Sequence, residues 1–518
     1  MSKDKDRAFF GHPAGLSTLF FTEMWERFSY YGMRALLIYY LTAKRELGGI
    51  GLTTEDAGFV WGLFVAWAYL LSLPGGWIAD RFLGQRKAIT VGGLGILAGN
   101  ALLAVPSPRF FYPGLVLIAL GTGLFKPNVS TVVGQLYGKN DARRDSGYTI
   151  FYMGINVGAI ASPLVCGYLA ENPGFRHFMV GLGVDPNWMW HIAFLAVALG
   201  MALGLTQYLL SANRIGEAGM HPTVPADPAK AARDRTLIKV IGGGLVALVI
   251  AFVAAMYAGL SLEAAVNGFG VALLIAAVVL FIGLYRGAHD HDERKRVIAM
   301  IPLFVGCVAF FGIFEQAGTT LSLFAASGVH EHYLGINFLP EYYQDVNPVF
   351  ILLLAPVFAW LWVRLVKANK EPSSVVKFGI GMILVAVSFL VMLPALGGIN
   401  AGQRVSPNFL IALYFFSTCA ELCISPVGLS TMNKLAPERL AGMVMGTWFL
   451  GISAGEYIAG RSAGFSQSHG YAVLFYTLIV ASLVVAVGLL AVAPTIRRMT
   501  AGNAPLPKAT ALETPPAA

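Results

Sequence analysis

The chain has 518 residues, 56% of them hydrophobic and only 12% charged, with a formal net charge of +8. A soluble domain carries about 25% charged residues, so a water-soluble fold is excluded. The positive charge is scattered through short connections and forms no basic stripe with interleaved aromatics, which excludes nucleic acid as a partner and points to the lipid bilayer.

Apolar runs of about 20 residues, the length that crosses a bilayer at 1.5 Å per residue, recur from Leu16 to Ala493. Residues 1–15 are polar, and the run that follows outlasts a signal-peptide core without a small-residue cleavage site, so it is expected to remain as the first span. Spans are expected near 16–42, 56–79, 88–106, 112–138, 146–170, 190–212, 237–259, 266–285, 297–320, 343–366, 376–397, 407–431, 438–461 and 471–495, about fourteen helices in an all-α polytopic membrane protein. With a cytoplasmic N-terminus, alternation puts most of the basic residues on the cytoplasmic side, including Arg81, Arg86, Lys87, Arg143, Arg144, Lys367, Lys370, Arg497 and Arg498, as the positive-inside rule requires. The C-terminus is then cytoplasmic as well.

The longest polar connection, from Ala212 to Lys239, contains Pro222, Pro225 and Pro228 and suits a linker between two helical halves. The expected division is a six-helix bundle over 1–212, a linker with two inserted helices over 213–296, a second six-helix bundle over 297–495 and a tail over 496–518. Cys166, Cys307, Cys419 and Cys423 all lie in apolar runs and read as packing residues. Gly154 with Gly158, and Gly451 with Gly455, have the spacing that lets helices approach closely.

A charge at the bilayer centre is costly unless it is paired or faces water, so each one is a functional candidate. The first span carries EMWERFSYYGMR, in which Glu23, Arg27, Tyr30 and Arg34 share a helix face and Glu26 and Tyr31 flank it. Lys126, Glu315 and Glu421 stand alone in long apolar contexts. Arg34 and Lys126 fall in the first half and Glu315 and Glu421 in the second, so bridges Arg34–Glu315 and Lys126–Glu421 are expected to gate a central cavity. Arg34 or Lys126 suits a ligand carboxylate and Glu421 an ammonium, a pairing that would select a zwitterion. Tyr31, Tyr69 and Trp448 suit apolar side-chain pockets. The loop HDHDE from His289 to Glu293 reads as a solvated face and not a metal site. Neither HExxH nor GxSxG occurs, so the chain does not read as an enzyme.

The run from Glu23 to Tyr31 resembles the ExxERFxYY motif of the proton-dependent oligopeptide transporter family. GGWIADRFLGQRK, from Gly75 to Lys87, is similar to the loop between the second and third helices of major facilitators. GTGLFKPNVS around Lys126, FYMGINVGA around Asn156, FEQAGTT around Glu315, QDVNP around Asn347 and ELCISPVGLS around Glu421 resemble further blocks of the same family, in order; Ala420 stands where a glycine often precedes the glutamate. The resemblance implies a major facilitator fold, two six-helix bundles plus two inserted helices as in prokaryotic members, working by alternating access. It implies a proton-coupled symporter importing di- and tripeptides across the inner membrane, with small peptides and protons as partners, the proton gradient as energy source, no cofactor, and a monomeric state. Glu23, Glu26, Arg27, Lys126 and Glu315 would serve proton coupling. Tyr31, Arg34, Tyr69, Lys126, Asn156, Glu315, Asn347, Glu421 and Trp448 would line the peptide site. The alternatives are a major facilitator carrying another small solute, such as nitrate, a sugar or a drug-like compound, or a passive pore.

Overall fold

The computed structural model describes residues 8–138, 141, 143–222, 236, 243, 261–437 and 440–500. Nearly all of them are helical. The helices are α1 (Ala14–Thr42), α2 (Thr54–Leu70), α3 (Ser72–Ile78), α4 (Gln85–Leu103), α5 (Pro108–Gln135), α6 (Arg144–Glu171), α7 (Pro173–Gly181) and α8 (Met189–Ser211), followed by α9 (Leu262–Gly287), α10 (His291–Phe314), α11 (Thr320–Gly328), α12 (Tyr343–Lys367), α13 (Ser374–Leu390), α14 (Leu393–Asn400), α15 (Asn408–Leu435) and α16 (Ala441–Thr500). Among the described residues, ten stretches are long and apolar enough to cross a bilayer. The last is divided at Gly470, whose φ of 83° interrupts α16, so it accounts for both of the last two expected spans. α1 and α4 answer to the first and third; the charges of α1 and the short apolar run of α4 set them apart from the ten. The expected span at 237–259 lies almost wholly outside the described residues.

Local chemistry sets the ends. Thr53 accepts from the Asp56 amide at the start of α2, and Ser373 from that of Val376 at the start of α13, capping donors that a helix leaves unpaired. The acidic residues of HDHDE do the same work: Asp290 Oδ1 accepts from the Glu293 amide at 2.7 Å, and Glu293 Oε2 from the His289 amide at 2.7 Å, a relative of the capping box. Gly84, at φ 77°, makes the left-handed turn into α4. Arg86 just beyond it donates to the carbonyl of Ala218 at 2.9 Å and to that of Gly216, tying the start of α4 to the chain leaving α8.

The buried side chains form two large cores and two smaller clusters. One large core gathers Tyr40, Trp61, Phe64, Phe111 and Phe194, and includes Ala459 from far along the chain. The other gathers Met300, Phe310, Phe324, Phe378 and Phe475. α9 buries only Val266, Leu273 and Leu284 and exposes Leu274, Ile275, Val278, Val279 and Ile282, a surface suited to lipid.

Glycines bring the helices together as their spacing suggests. A Cβ at Gly158 would meet the Met24 carbonyl of α1 at 2.2 Å, and one at Gly455 the Phe311 Cβ of α10 at 2.5 Å. A third close crossing was not legible: on α16, a Cβ at Gly460 would meet the Gly58 carbonyl at 2.5 Å and Gly62 Cα at 2.6 Å, both on α2. The four cysteines are free and buried. One expected helix differs. The span placed at 297–320 runs to Gly328 but leaves α geometry at Glu315–Gly318, which is a 3₁₀ turn. The ring of Trp61 occupies the space there, 2.1 Å from where a Cβ on Gly318 would be.

Gly460→Ala is expected to destabilise the protein by about 1–3 kcal/mol, the usual range for overpacking a backbone contact, and to lower the Tm of the detergent-solubilised protein. An unchanged Tm would show that the crossing is looser than described.

Candidate functional site

The charged face of α1 is buried as a unit. Arg27 Nε lies 2.5 Å from Glu26 Oε2 and 3.2 Å from Glu23 Oε1, the second contact following directly from the i, i+4 spacing. Its guanidinium stands 5.1 Å over the Tyr30 ring. Two turns further on, Arg34 Nη2 donates to Glu315 Oε2 in a buried ion pair, and the guanidinium covers the ring of Trp61 at 5.2 Å. The 3₁₀ turn presents Glu315 to α1, and the Trp61 ring packed on Gly318 of that turn is also the platform for Arg34.

The other expected site residues divide. Lys126 Nζ lies 3.9 Å over the Tyr69 ring, a cation–π contact, and interacts electrostatically with Glu23 and Glu26. Glu421 Oε2 accepts from Asn347 Nδ2 at 2.9 Å, and the same amide reaches Thr418 Oγ1 at 3.0 Å. Two motif blocks far apart in sequence thus meet at Asn347 and Glu421. Among the described ion pairs, however, Lys126 and Glu421 do not meet: the bridge expected between them is replaced by the Tyr69 ring on one side and the Asn347 amide on the other. Tyr31 packs edge-on to Tyr30 at 5.4 Å and interacts with Arg27, Arg34, Glu315 and Glu421, so it stands between the two charged groups. Asn156 spends its amide on the Tyr152 carbonyl of its own helix, at 2.9 Å. Trp448 belongs to the second core, edge-on to Phe378 and tight over Gly428, with Tyr69 packed against that core.

Within this cluster, one residue escaped the sequence reading. Glu456 of α16 is fully buried and interacts with Arg34, Glu315 and Lys126. The criterion that found Lys126, Glu315 and Glu421, a lone charge in a long apolar run, applies equally to GISAGEYIAG. With Glu456 included, the buried carboxylates Glu23, Glu26, Glu315 and Glu456, together with half-buried Glu421, outnumber the cations Arg27, Arg34 and Lys126. Such a cluster reaches neutrality by taking up protons or cationic groups.

A multi-pass helical protein with a buried, charge-unbalanced cluster joining its early and late helices is a membrane transporter of the major facilitator type. The family model for the POT family matches residues 86–473, and the chain belongs to that family. The charged face of α1 lies before the matched segment, but longer similarities include it. The chain is 38% identical over 501 residues to an uncharacterised transporter of Bacillus subtilis, covering 96% of each chain. It is 37% identical over 465 residues to a di-/tripeptide transporter of Lactococcus lactis subsp. cremoris, covering 88% of this chain and 89% of that one. The crystal structure of a peptide transporter POT in complex with sulfate matches with a TM-score of 0.85 and 38% identity, covering 96% of this chain and 99% of that one.

Removing one member of the Arg34–Glu315 pair leaves the other charged and buried, an effect of about 3–5 kcal/mol. Arg34→Ala and Glu315→Ala are each expected to lower the Tm markedly, and the double variant to lose less than the two single losses combined. Additive losses would show that the two side chains do not depend on each other.

Proposed function

We propose that this protein is a proton-coupled symporter that imports di- and tripeptides by alternating access across the inner membrane of a bacterium. It works as a monomer with both termini in the cytoplasm, and its two six-helix bundles flank a pair of inserted helices. Membership of the POT family supports this reading, as does the similarity to a relative named for di- and tripeptides. The observation that carries it is the buried Arg34–Glu315 ion pair beside the Glu23, Glu26 and Arg27 cluster. A passive pore has no need of paired charges held out of water; a carrier whose charge balance is set by protons does.

In this reading Arg34 or Lys126 takes the peptide carboxylate and Glu421, oriented by Asn347, takes the ammonium. Tyr31, Tyr69, Asn156 and Trp448 line the space for the peptide. A ligand carboxylate that reaches Arg34 competes with Glu315, so substrate binding loosens the ion pair between α1 and the Glu315 turn. A proton on Glu315 loosens it in the same way. Proton and peptide therefore act on one bond, which is what coupling requires. Glu23 and Glu26 compete for Arg27, and protonating either changes which of them Arg27 holds. Arg34–Glu315 is one gate contact, and Lys126 and Glu421, apart here, form the other in a different state of the cycle.

Purified protein in liposomes is expected to accumulate labelled dialanine when an inward proton gradient is imposed and to lose that accumulation when a protonophore is added. N-acetyl-dialanine, which lacks the ammonium, should compete at least about ten-fold more weakly than dialanine, as loss of a charge-assisted hydrogen bond of about 1.5–3 kcal/mol implies. Equal competition would remove the zwitterion reading. Glu26→Gln is expected to abolish gradient-driven accumulation while sparing counterflow exchange, because it keeps the shape of the cluster but cannot exchange a proton. Accumulation at the wild-type level in that variant would take Glu26 out of the coupling.

A further inference from the structure

Glu456 lies beside the crossing of α2 and α16, in electrostatic reach of Arg34, Glu315 and Lys126. Its helix is locked against α2 at Gly460, one turn away, and Ser453 Oγ on the preceding turn donates to the Ala66 carbonyl of α2 at 2.9 Å. On its other flank Gly455 fits against Phe311 and Gly312 of α10, and the Ala459 carbonyl accepts from Thr319 Oγ1 at 3.3 Å, four residues beyond Glu315. These contacts hold Glu456 between α2 and α10, at the level of the Glu315–Gly318 turn. The titratable groups it interacts with there are Arg34 and Tyr30 of α1, Tyr69 of α2, Lys126 of α5 and Glu315.

Neither carboxylate oxygen of Glu456 has a hydrogen-bond donor among the described residues, and Arg34 Nε has no acceptor. Glu26 and Glu315 differ, since each holds a guanidinium. An ionised carboxylate with no donor at membrane depth is strongly disfavoured. A carboxyl group kept in such a place, within the field of an arginine with an unused N–H, has the makings of that arginine's alternative partner.

We propose that Glu456 is a proton-carrying residue of the transport cycle and that it alternates with Glu315 as the partner of Arg34. The inference rests on the proton-coupled reading above. In the arrangement seen here Arg34 is bound to the Glu315 carboxylate and Glu456 is the neutral acid. When Glu315 takes a proton from the side of higher proton concentration, its ion pair with Arg34 breaks. Glu456 then gives its proton to water on the opposite side, and the resulting carboxylate accepts the Arg34 N–H groups. One proton enters, one leaves, and the net charge around Arg34 is the same before and after. On the return the proton on Glu315 passes to Glu456, so each cycle carries one proton from the side of higher concentration to the other. Between substrate encounters Arg34 thus exchanges Glu315 for Glu456, and which of the two it holds records the protonation state.

The test uses full-length protein in liposomes. Glu456→Gln mimics the neutral acid and cannot release a proton, so counterflow exchange of dialanine at equal pH should persist while gradient-driven accumulation falls by about ten-fold or more, within the usual range of coupling energies. The pH dependence of exchange should also flatten, which loss of a merely structural contact would not produce. Wild-type accumulation with an unchanged pH profile in Glu456→Gln overturns the proposal. Failure of the wild type itself to accumulate dialanine would instead remove the peptide-symport reading. Should Glu456→Gln lose exchange as well, Glu456→Asp, which keeps a titratable group one methylene shorter, decides: a displaced pH profile is expected, and an unchanged one overturns the proposal.

Discussion

A guanidinium at membrane depth must have a carboxylate, and much of this architecture follows from where Arg34 finds one. Its partner Glu315 lies 281 positions along the chain, so the pair joins the first helix to the middle of the sequence. Desolvating both groups is expensive, and their attraction offsets that expense only with close geometry and further support. Here the support comes from Trp61, whose ring lies beneath Arg34 and also fills the gap at Gly318. That gap is where α10 gives up its regular hydrogen bonding. The 3₁₀ turn, the missing side chain at Gly318 and the placement of Glu315 are therefore parts of one arrangement. A regular helix through this point would set Glu315 at a different angle to α1.

The same region shows how the helices come close enough for such a pair to form. In a membrane, association between helices relies on packing and polar contacts, because lipid is as apolar as leucine. α2 and α16 meet through Gly58, Gly62 and Gly460, and α16 meets α10 through Gly455. With no side chains at these points, Glu456 is brought into the field of Arg34 and Glu315. The crossing is thus both a structural contact and the means by which a late helix reaches the charged face of the first. Because the contact is mostly backbone on backbone, it offers little tolerance for added volume. It also leaves few directional bonds to break when the helices part, which suits a carrier that must open and close.

The charged groups are supported in two different ways. Arg27 is paired within its own helix, with Glu23 and Glu26 supplied by local spacing. Lys126 has an aromatic ring in place of a carboxylate, and Glu421 has an amide in place of a cation. Neutral partners leave these two groups with charge to share, whereas the ion-paired groups must first release a partner. In the proposed reading a ligand at Lys126 and Glu421 would displace little, whereas one at Arg34 would displace Glu315. The first pair suits recognition and the second suits a switch.

The sequence by itself determined the membrane class, the positions of nearly all the described helices and all but one of the charges in the cluster around Arg27 and Arg34. These are one-dimensional properties: apolar run length, loop charge and a charge in an apolar context are visible without knowing which helices touch. The i, i+4 contact between Glu23 and Arg27 was legible for the same reason, and so was the close packing at Gly158 and Gly455. Only the tertiary structure decided which distant residues meet. The signs of the charges allowed both Arg34–Glu315 and Lys126–Glu421, but Lys126 is held over Tyr69 and Glu421 is held by Asn347. The 3₁₀ turn at Glu315 was hidden because it depends on Trp61 from another helix. Glu456 could be read as a buried charge, but its place within reach of Arg34 could not, because that place is fixed by four glycines, Gly58, Gly62, Gly455 and Gly460, whose contacts exist only once α2, α10 and α16 have packed.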